Sequence, residues 1–157
     1  MQNTFKKTLL ATAAASLIAG AAHADIKVGV ILGFTGPIES LTPAMADSAE
    51  LAFDEASNSG LLLGGDSIVS VRGDSTCVDA AAATAAAERL VNSDGVVAIM
   101  GADCSGVTGA IAKNVGAPNG VAMISPSATS PGLTSIDDNG VFFRTAPSDA
   151  RQGVVLA

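Results

Sequence analysis

The chain has 157 residues, of which 48% are hydrophobic and only 3% aromatic, and it carries a formal net charge of −7. That length fits one domain with a real hydrophobic core. The acidic balance, with no cluster of Lys or Arg beyond Lys6 and Lys7, argues against nucleic acid or an anionic membrane surface as partner.

Lys6 and Lys7 precede an uncharged run from Thr8 to Gly20, rich in Ala and Leu, which closes on Ala22-His23-Ala24. A basic start, a short apolar middle and a small-x-small end are the parts of a secretory signal peptide. The middle is shorter than the roughly 20 residues needed to span a bilayer. No cysteine stands at the cleavage point, which argues against a lipid anchor. Residues 1–24 are expected to be removed. The exported chain then begins at Asp25, has 133 residues, and carries −9 once Lys6 and Lys7 are gone.

From Asp25 onward, apolar β-rich runs alternate with Ala-rich helical runs. Residues 26–32 read as a largely buried strand, followed by a loop over 33–41 that turns at Gly36-Pro37. Thr42 reads as a helix N-cap with Pro43 at the first helical position. Met45, Ala49, Ala52, Phe53 and Ala56 fall at helical spacing and predict one apolar face, with Gly60 as the stop. A second strand is expected over 68–71, running on to about Asp74. Asp79 caps a helix reaching about Ser93, with Ala83, Ala86, Ala87, Leu90 and Val91 turned inward.

A third strand is expected over 96–100, and Ser105 is expected to cap a helix ending near Val115 or Gly116. A fourth strand follows over 121–124, then a polar loop from Ser125 to Asn139, a short fifth strand over 141–144, and a helix capped by Ser148 or Asp149. Short connections between alternating strands and helices imply an α/β fold: a doubly wound parallel sheet with helices on both faces. Runs such as 96–100 are apolar without alternation, as strands covered on both sides should be. The last seven residues open an apolar helical pattern with no cap, which reads as the first part of a longer protein.

The residue inventory narrows the chemistry. His23, the only histidine, lies in the signal, so the exported chain can build neither a Ser-His-Asp nor a Cys-His site. Two cysteines alone do not make the usual zinc site. Carboxylate acid/base work stays possible, but the inventory leans toward binding, with no cofactor. Cys77 and Cys104 have 26 residues between them. An even cysteine count in an exported chain points to a disulfide, worth about 3–4 kcal/mol in the chain-entropy model, with two buried thiols as the other reading.

In an open parallel sheet, ligands bind outside the carboxyl ends of the strands. The loops there are 33–37, 101–105 and 125–131, and the last two are rich in hydroxyls suited to a small anion. The same hydroxyls could equally serve as caps for helices and turns. Gly29, Gly33 and Gly36 do not form a dinucleotide-binding fingerprint, and no phosphate-binding lysine follows them.

Five segments in this order carry a resemblance: 26–30 with Thr35-Gly36-Pro37; 74–77; 101–105; 123–129 with Pro131 and Leu133-Thr134; and 143–145. With them, the chain resembles the N-terminal lobe of a type I periplasmic solute-binding protein, in the leucine/isoleucine/valine-binding branch that serves ABC importers. The resemblance covers essentially all of 25–157. It implies two α/β lobes around a cleft, a disulfide between Cys77 and Cys104, and a periplasmic location. It implies that Ser105 binds an amino acid's α-carboxylate, and that Ser127, Ala128 and Thr129 contact carboxylate and ammonium through backbone and hydroxyl groups.

The sequence departs from that family at three points. Leu41 stands near where an aromatic often lines the side-chain pocket. Asp103 stands where an apolar residue is usual; facing the cleft it would favour ammonium or polar groups, and otherwise it is a solvated loop acid. The family's second lobe is missing. The expectation is a monomeric amino-acid-binding component of an ABC importer, delivering its solute to a membrane permease and catalysing nothing. The alternatives are a binding protein for amides, urea or another small polar solute, and a ligand-sensing domain of a receptor. An exported hydrolase is the remaining class, and the absence of a Gly-x-Ser-x-Gly elbow speaks against it.

Overall fold

The computed structural model describes residues 25–157; the expected signal peptide lies outside the described residues. The strands are β1 (Asp25–Leu32), β2 (Ser67–Asp74), β3 (Ala98–Gly101), β4 (Ala122–Ser125) and β5 (Phe142–Arg144). All pair in parallel, in the order β2-β1-β3-β4-β5. The helices are α1 (Thr42–Asn58), α2 (Ala80–Arg89), α3 (Ser105–Ile111) and α4 (Asp149–Leu156). A π-helical turn over Leu90–Asp94 extends α2, and another over Ala112–Gly116 extends α3.

The strand order explains the layering. The chain winds from β1 outward to β2, then returns past β1 to β3 and continues to β5. Right-handed crossovers in opposite directions put their helices on opposite faces. Accordingly α1 packs on β1 and β2 from one side, while α2 and α3 pack together on the other. Successive residues of β1 divide between the layers: Val30 and Leu32 join Ala46 of α1, and Ile31 joins Ala83, Ala87 and Leu90. Both faces of β1 are therefore apolar, which is why its sequence shows no alternation.

Several local expectations need correction. The α1 face turned inward is built on Ala46, with Met45 and Phe53 half-buried, whereas Ala52 is exposed. Thr42 is the first helical residue and Pro43 the second; the cap position falls to Leu41. The Thr42 hydroxyl, fully buried, donates instead to the Gly33 carbonyl at 3.1 Å. The β3 ladder starts at Ala98, because the Val96 amide is drawn away to the Leu90 carbonyl at 3.1 Å, closing the helix turn. Asp79 and Ser148 cap α2 and α4 as expected.

Among the described residues, no helix covers the sheet beyond β3 on the α1 side. Ile124 is 45% exposed and Phe143 58%, and with Phe53 and Met100 they line a groove of about 300 Å³.

Leu90 is the keystone of the other layer. A Cβ at Gly29 would lie 3.2 Å from its Cδ1, and one at Gly73 only 3.0 Å. Adjacent strands thus leave a socket that this side chain fills completely. Leu90→Ala empties the socket and should lower stability by about 3–4 kcal/mol, read from urea unfolding midpoints.

Candidate functional site

The site region is the carboxyl edge of the sheet, at the point where the winding reverses between β1 and β3. Such a reversal splays two loops apart and leaves a crevice. Four loops meet here: 33–37 after β1, 75–79 after β2, 102–104 after β3, and 126–131 after β4.

The disulfide between Cys77 and Cys104 forms, with Cα atoms 5.2 Å apart, and joins the β2 loop to the head of α3. Asp74 ties the same β2 loop to the β1 loop. It accepts from the Thr35 hydroxyl at 2.6 Å, the Thr35 amide at 3.3 Å and the Thr76 amide at 2.8 Å. Gly36 completes this corner: its φ is +99°, and a Cβ there would strike the Thr76 carbonyl at 2.5 Å.

Asp103 is neither a solvated acid nor a carboxylate facing the crevice; it is 3% exposed. Its Oδ2 accepts from the Gly33 amide at 2.9 Å. Its Oδ1 accepts from the Ser75 hydroxyl at 3.2 Å and the Cys104 amide at 2.9 Å. An unpaired buried charge is costly, so the donors are what let this acid lie where an apolar residue was expected.

Ser105 does not cap α3. The cap position is Cys104, and the Ser105 hydroxyl accepts from the Ser130 amide at 3.1 Å. That contact uses an oxygen lone pair and leaves the proton to donate outward. The Ser127 hydroxyl donates to the Asp103 carbonyl at 3.0 Å. Ala128 is fully buried, and its amide donates to Ser125 Oγ at 3.0 Å. The Thr129 hydroxyl donates to Asp149 Oδ2 at 2.9 Å, and the Asp149 amide returns a bond to the Thr129 carbonyl at 2.9 Å. Thr129 thereby spends its proton and keeps its lone pairs. Leu41 stands apart at the head of α1, 62% exposed beside the β1 loop.

The structure thus brings Ser127, Ala128 and Thr129 of the β4 loop beside Ser105 in the first turn of α3, linked by the Ser105–Ser130 bond. It places Asp103 behind them and Leu41 at the rim. A cavity of about 530 Å³ opens between α3 and residues 130–137, with Ser105 and Ser130 at its wall. A second, of about 330 Å³, lies beside Thr129 and Asp149.

Sequence reasoning marks Ser125 as a hydroxyl of the β4 loop and Arg144 within a family segment, but not the organising role of either. Ser125 is fully buried; its hydroxyl donates to the Ala102 carbonyl while accepting from Ala128. Arg144 donates to the carbonyls of Ala128 at 3.3 Å and Ser130 at 2.8 Å, and to the Thr134 hydroxyl, so one guanidinium holds the whole loop. The only local hint of it is a lone Arg ending an apolar strand.

A parallel sheet in this order, with helices on both faces, matches one lobe of known solute-binding structures. Residues 25–157 match the periplasmic binding protein family, and the chain belongs to it. It is 36% identical over 152 residues to the Leu/Ile/Val-binding protein BraC3 of Rhizobium johnstonii, covering 96% of this chain and 40% of that protein. It is also 36% identical over 152 residues to the Leu/Ile/Val/Thr-binding protein of Salmonella typhimurium, with the same coverage. Among solved structures it is similar to the branched-chain amino acid transporter substrate-binding protein LivJ of Streptococcus pneumoniae, solved with isoleucine. There the TM-score is 0.72 and the identity 31%, over 81% of this chain and 35% of that one. The chain spans about two fifths of the length of these curated relatives.

Acid should test the Asp74 corner. Burial alone would raise this carboxyl, but hydrogen bonds from the Thr35 hydroxyl and the Thr76 and Thr35 amides hold it below the usual carboxylate range. A lowered folded value means stability that is present above the unfolded value near pH 4 and lost as pH falls through the folded one. Asp74→Asn should be less stable than the parent at about pH 6, and the gap should narrow toward pH 3 in urea melts.

Proposed function

We propose that the chain forms one wall of a cleft that captures a free amino acid, of the branched-chain type or a close relative, outside the cytoplasm. One observation carries this reading: the Ser105 hydroxyl is bonded to the Thr129–Ser130 segment, and the hydroxyls of Ser105 and Thr129 are engaged from opposite sides. Ser105, its oxygen occupied by the Ser130 amide, offers a proton to a carboxylate. Thr129, its proton held by Asp149, offers lone pairs to an ammonium. An α-amino acid head group carries both charges on one carbon and fits such a pair. Ser127 and Ala128 shape the wall between them, and Leu41, exposed at the head of α1, is the residue proposed to meet the solute's side chain.

The relatives' names support the solute class. Capture is non-covalent and without turnover, and it uses no cofactor. In this reading residues 1–24 direct export to the periplasm and 25–157 form the N-terminal lobe. A second lobe closes over the solute, and the closed monomer delivers it to the membrane permease of an ABC importer. Closure is driven only by contacts that are better in the closed state than in the open one.

The test is calorimetric titration of the complete gene product with leucine. Hydrogen bonds to charged groups contribute about 1.5–3 kcal/mol, so Ser105→Ala and Thr129→Ala should each weaken binding by about tenfold or more. Unchanged dissociation constants in both variants would remove the assigned site. A product that binds acetamide or urea but not leucine would replace the amino-acid reading with the amide one.

A further inference from the structure

Four separate loops meet at the carboxyl edge, and one side chain reaches three of them. The Asp103 carboxylate binds Gly33 of the β1 loop, Ser75 of the β2 loop and Cys104 of its own loop. The fourth loop reaches the same residue, through the Ser127 hydroxyl on the Asp103 carbonyl. Gly33 is gripped at both ends, its amide by Asp103 and its carbonyl by Thr42. A continuous line of hydrogen bonds therefore runs from the buried start of α1 through Gly33 and Asp103 to Ser127.

Three features separate this acid from a solute contact or an ordinary ion pair. It is 3% exposed. Each carboxylate oxygen is already engaged by a donor from the chain. Among the described residues, the arginine ion pairs go to Asp47, Glu50 and Asp94. The approach is also tight, since a Cβ at Gly33 would lie 3.2 Å from Asp103 Oδ2 and 3.1 Å from Cys77 Cβ. The last contact shows that the disulfide passes the same point. Asp103–Ser75 and Cys77–Cys104 are thus two parallel ties between the β2 and β3 loops.

We propose that Asp103 is a positioning residue of the binding rim: its buried carboxylate, acting in parallel with the disulfide, sets the loop spacing on which solute affinity depends. This rests on the amino-acid reading given above, but the chemistry of the tie does not. A carboxylate accepts on both oxygens, whereas asparagine must turn an N–H toward one of the donors. The isosteric amide therefore sets an N–H against either the Gly33 amide or the Cys104 amide without changing size, while the Ser75 hydroxyl can turn to accept from it.

The experiment compares the complete gene product with its Asp103→Asn and Asp103→Ala variants, at a temperature where circular dichroism shows them folded. Leucine binding is measured with the disulfide intact and after reduction by dithiothreitol, and amide exchange is followed at Gly33 and Cys104. Asp103→Asn should bind leucine about tenfold or more weakly, with faster exchange at the Gly33 or the Cys104 amide. Reduction should weaken Asp103→Ala, which loses the Ser75 bond, by a larger factor than the parent, because the parent keeps one tie. A folded Asp103→Asn protein with parental affinity overturns the proposal. Equal factors on reduction overturn the parallel tie. If Asp103→Ala does not fold, the Asn variant decides the positioning role and Ser75→Ala takes its place in the reduction test. If the parent itself binds no leucine, the amino-acid reading fails separately. Unchanged exchange at both the Gly33 and Cys104 amides in Asp103→Asn then overturns the positioning role, and faster exchange at either supports it.

Discussion

Everything at the candidate site depends on the reversal of winding between β1 and β3. Winding that leaves β1 in one direction and returns to β3 in the other is the arrangement that can open a crevice between their following loops. An opening of this kind has no packing of its own to hold its walls. Here the walls are fastened from behind by acceptors: Asp74 holds the β1 loop to the β2 loop, and Asp103 holds both to the start of α3. The disulfide adds a covalent tie at the same corner. Rigid loops matter because a hydroxyl or amide held in place need not be ordered again when a solute arrives.

The hydroxyls of this edge illustrate how a neutral group acquires a direction. A serine or threonine hydroxyl can donate or accept, and the protein decides which by engaging one side of it. Ser130 engages the oxygen of Ser105, and Asp149 takes the proton of Thr129. Arg144, in turn, fixes the carbonyls of the loop that carries both Thr129 and Ser130. The polarity of the rim is thus written into contacts with α4 and β5, the last elements before the chain reaches Ala157. For that reason the rim cannot be understood from its own loop alone.

Much of the fold is legible in the sequence. The five apolar runs became the five strands; β1, covered on two sides, shows its burial directly as composition, whereas Ile124 and Phe143 of β4 and β5 stay exposed on one face. Asp79 and Ser148 were readable as caps, since a cap bonds to amides two or three residues away. Thr42 and Ser105 carried the same local signal and do something else. Their partners, Gly33 and Ser130, lie 9 and 25 residues distant and are supplied only by the fold. Asp103 misled for the same reason: next to Cys104 and Ser105 it looks like a solvated loop acid, and the donors that bury it come from residues 33 and 75. The family resemblance named Ser105, Ser127, Ala128 and Thr129 together, which spacing alone did not do.

The central claim is that the solute's charged head group lies on the loops after β3 and β4. Backbone amide chemical shifts, recorded while leucine is titrated into the complete gene product, test it most directly. The account predicts the largest changes at Ser105, Thr129 and Ser130, with little at Ile124 and Phe143 in the open apolar groove on the α1 side. Saturable changes confined to that groove, with the 105 and 127–130 amides unmoved, would contradict it.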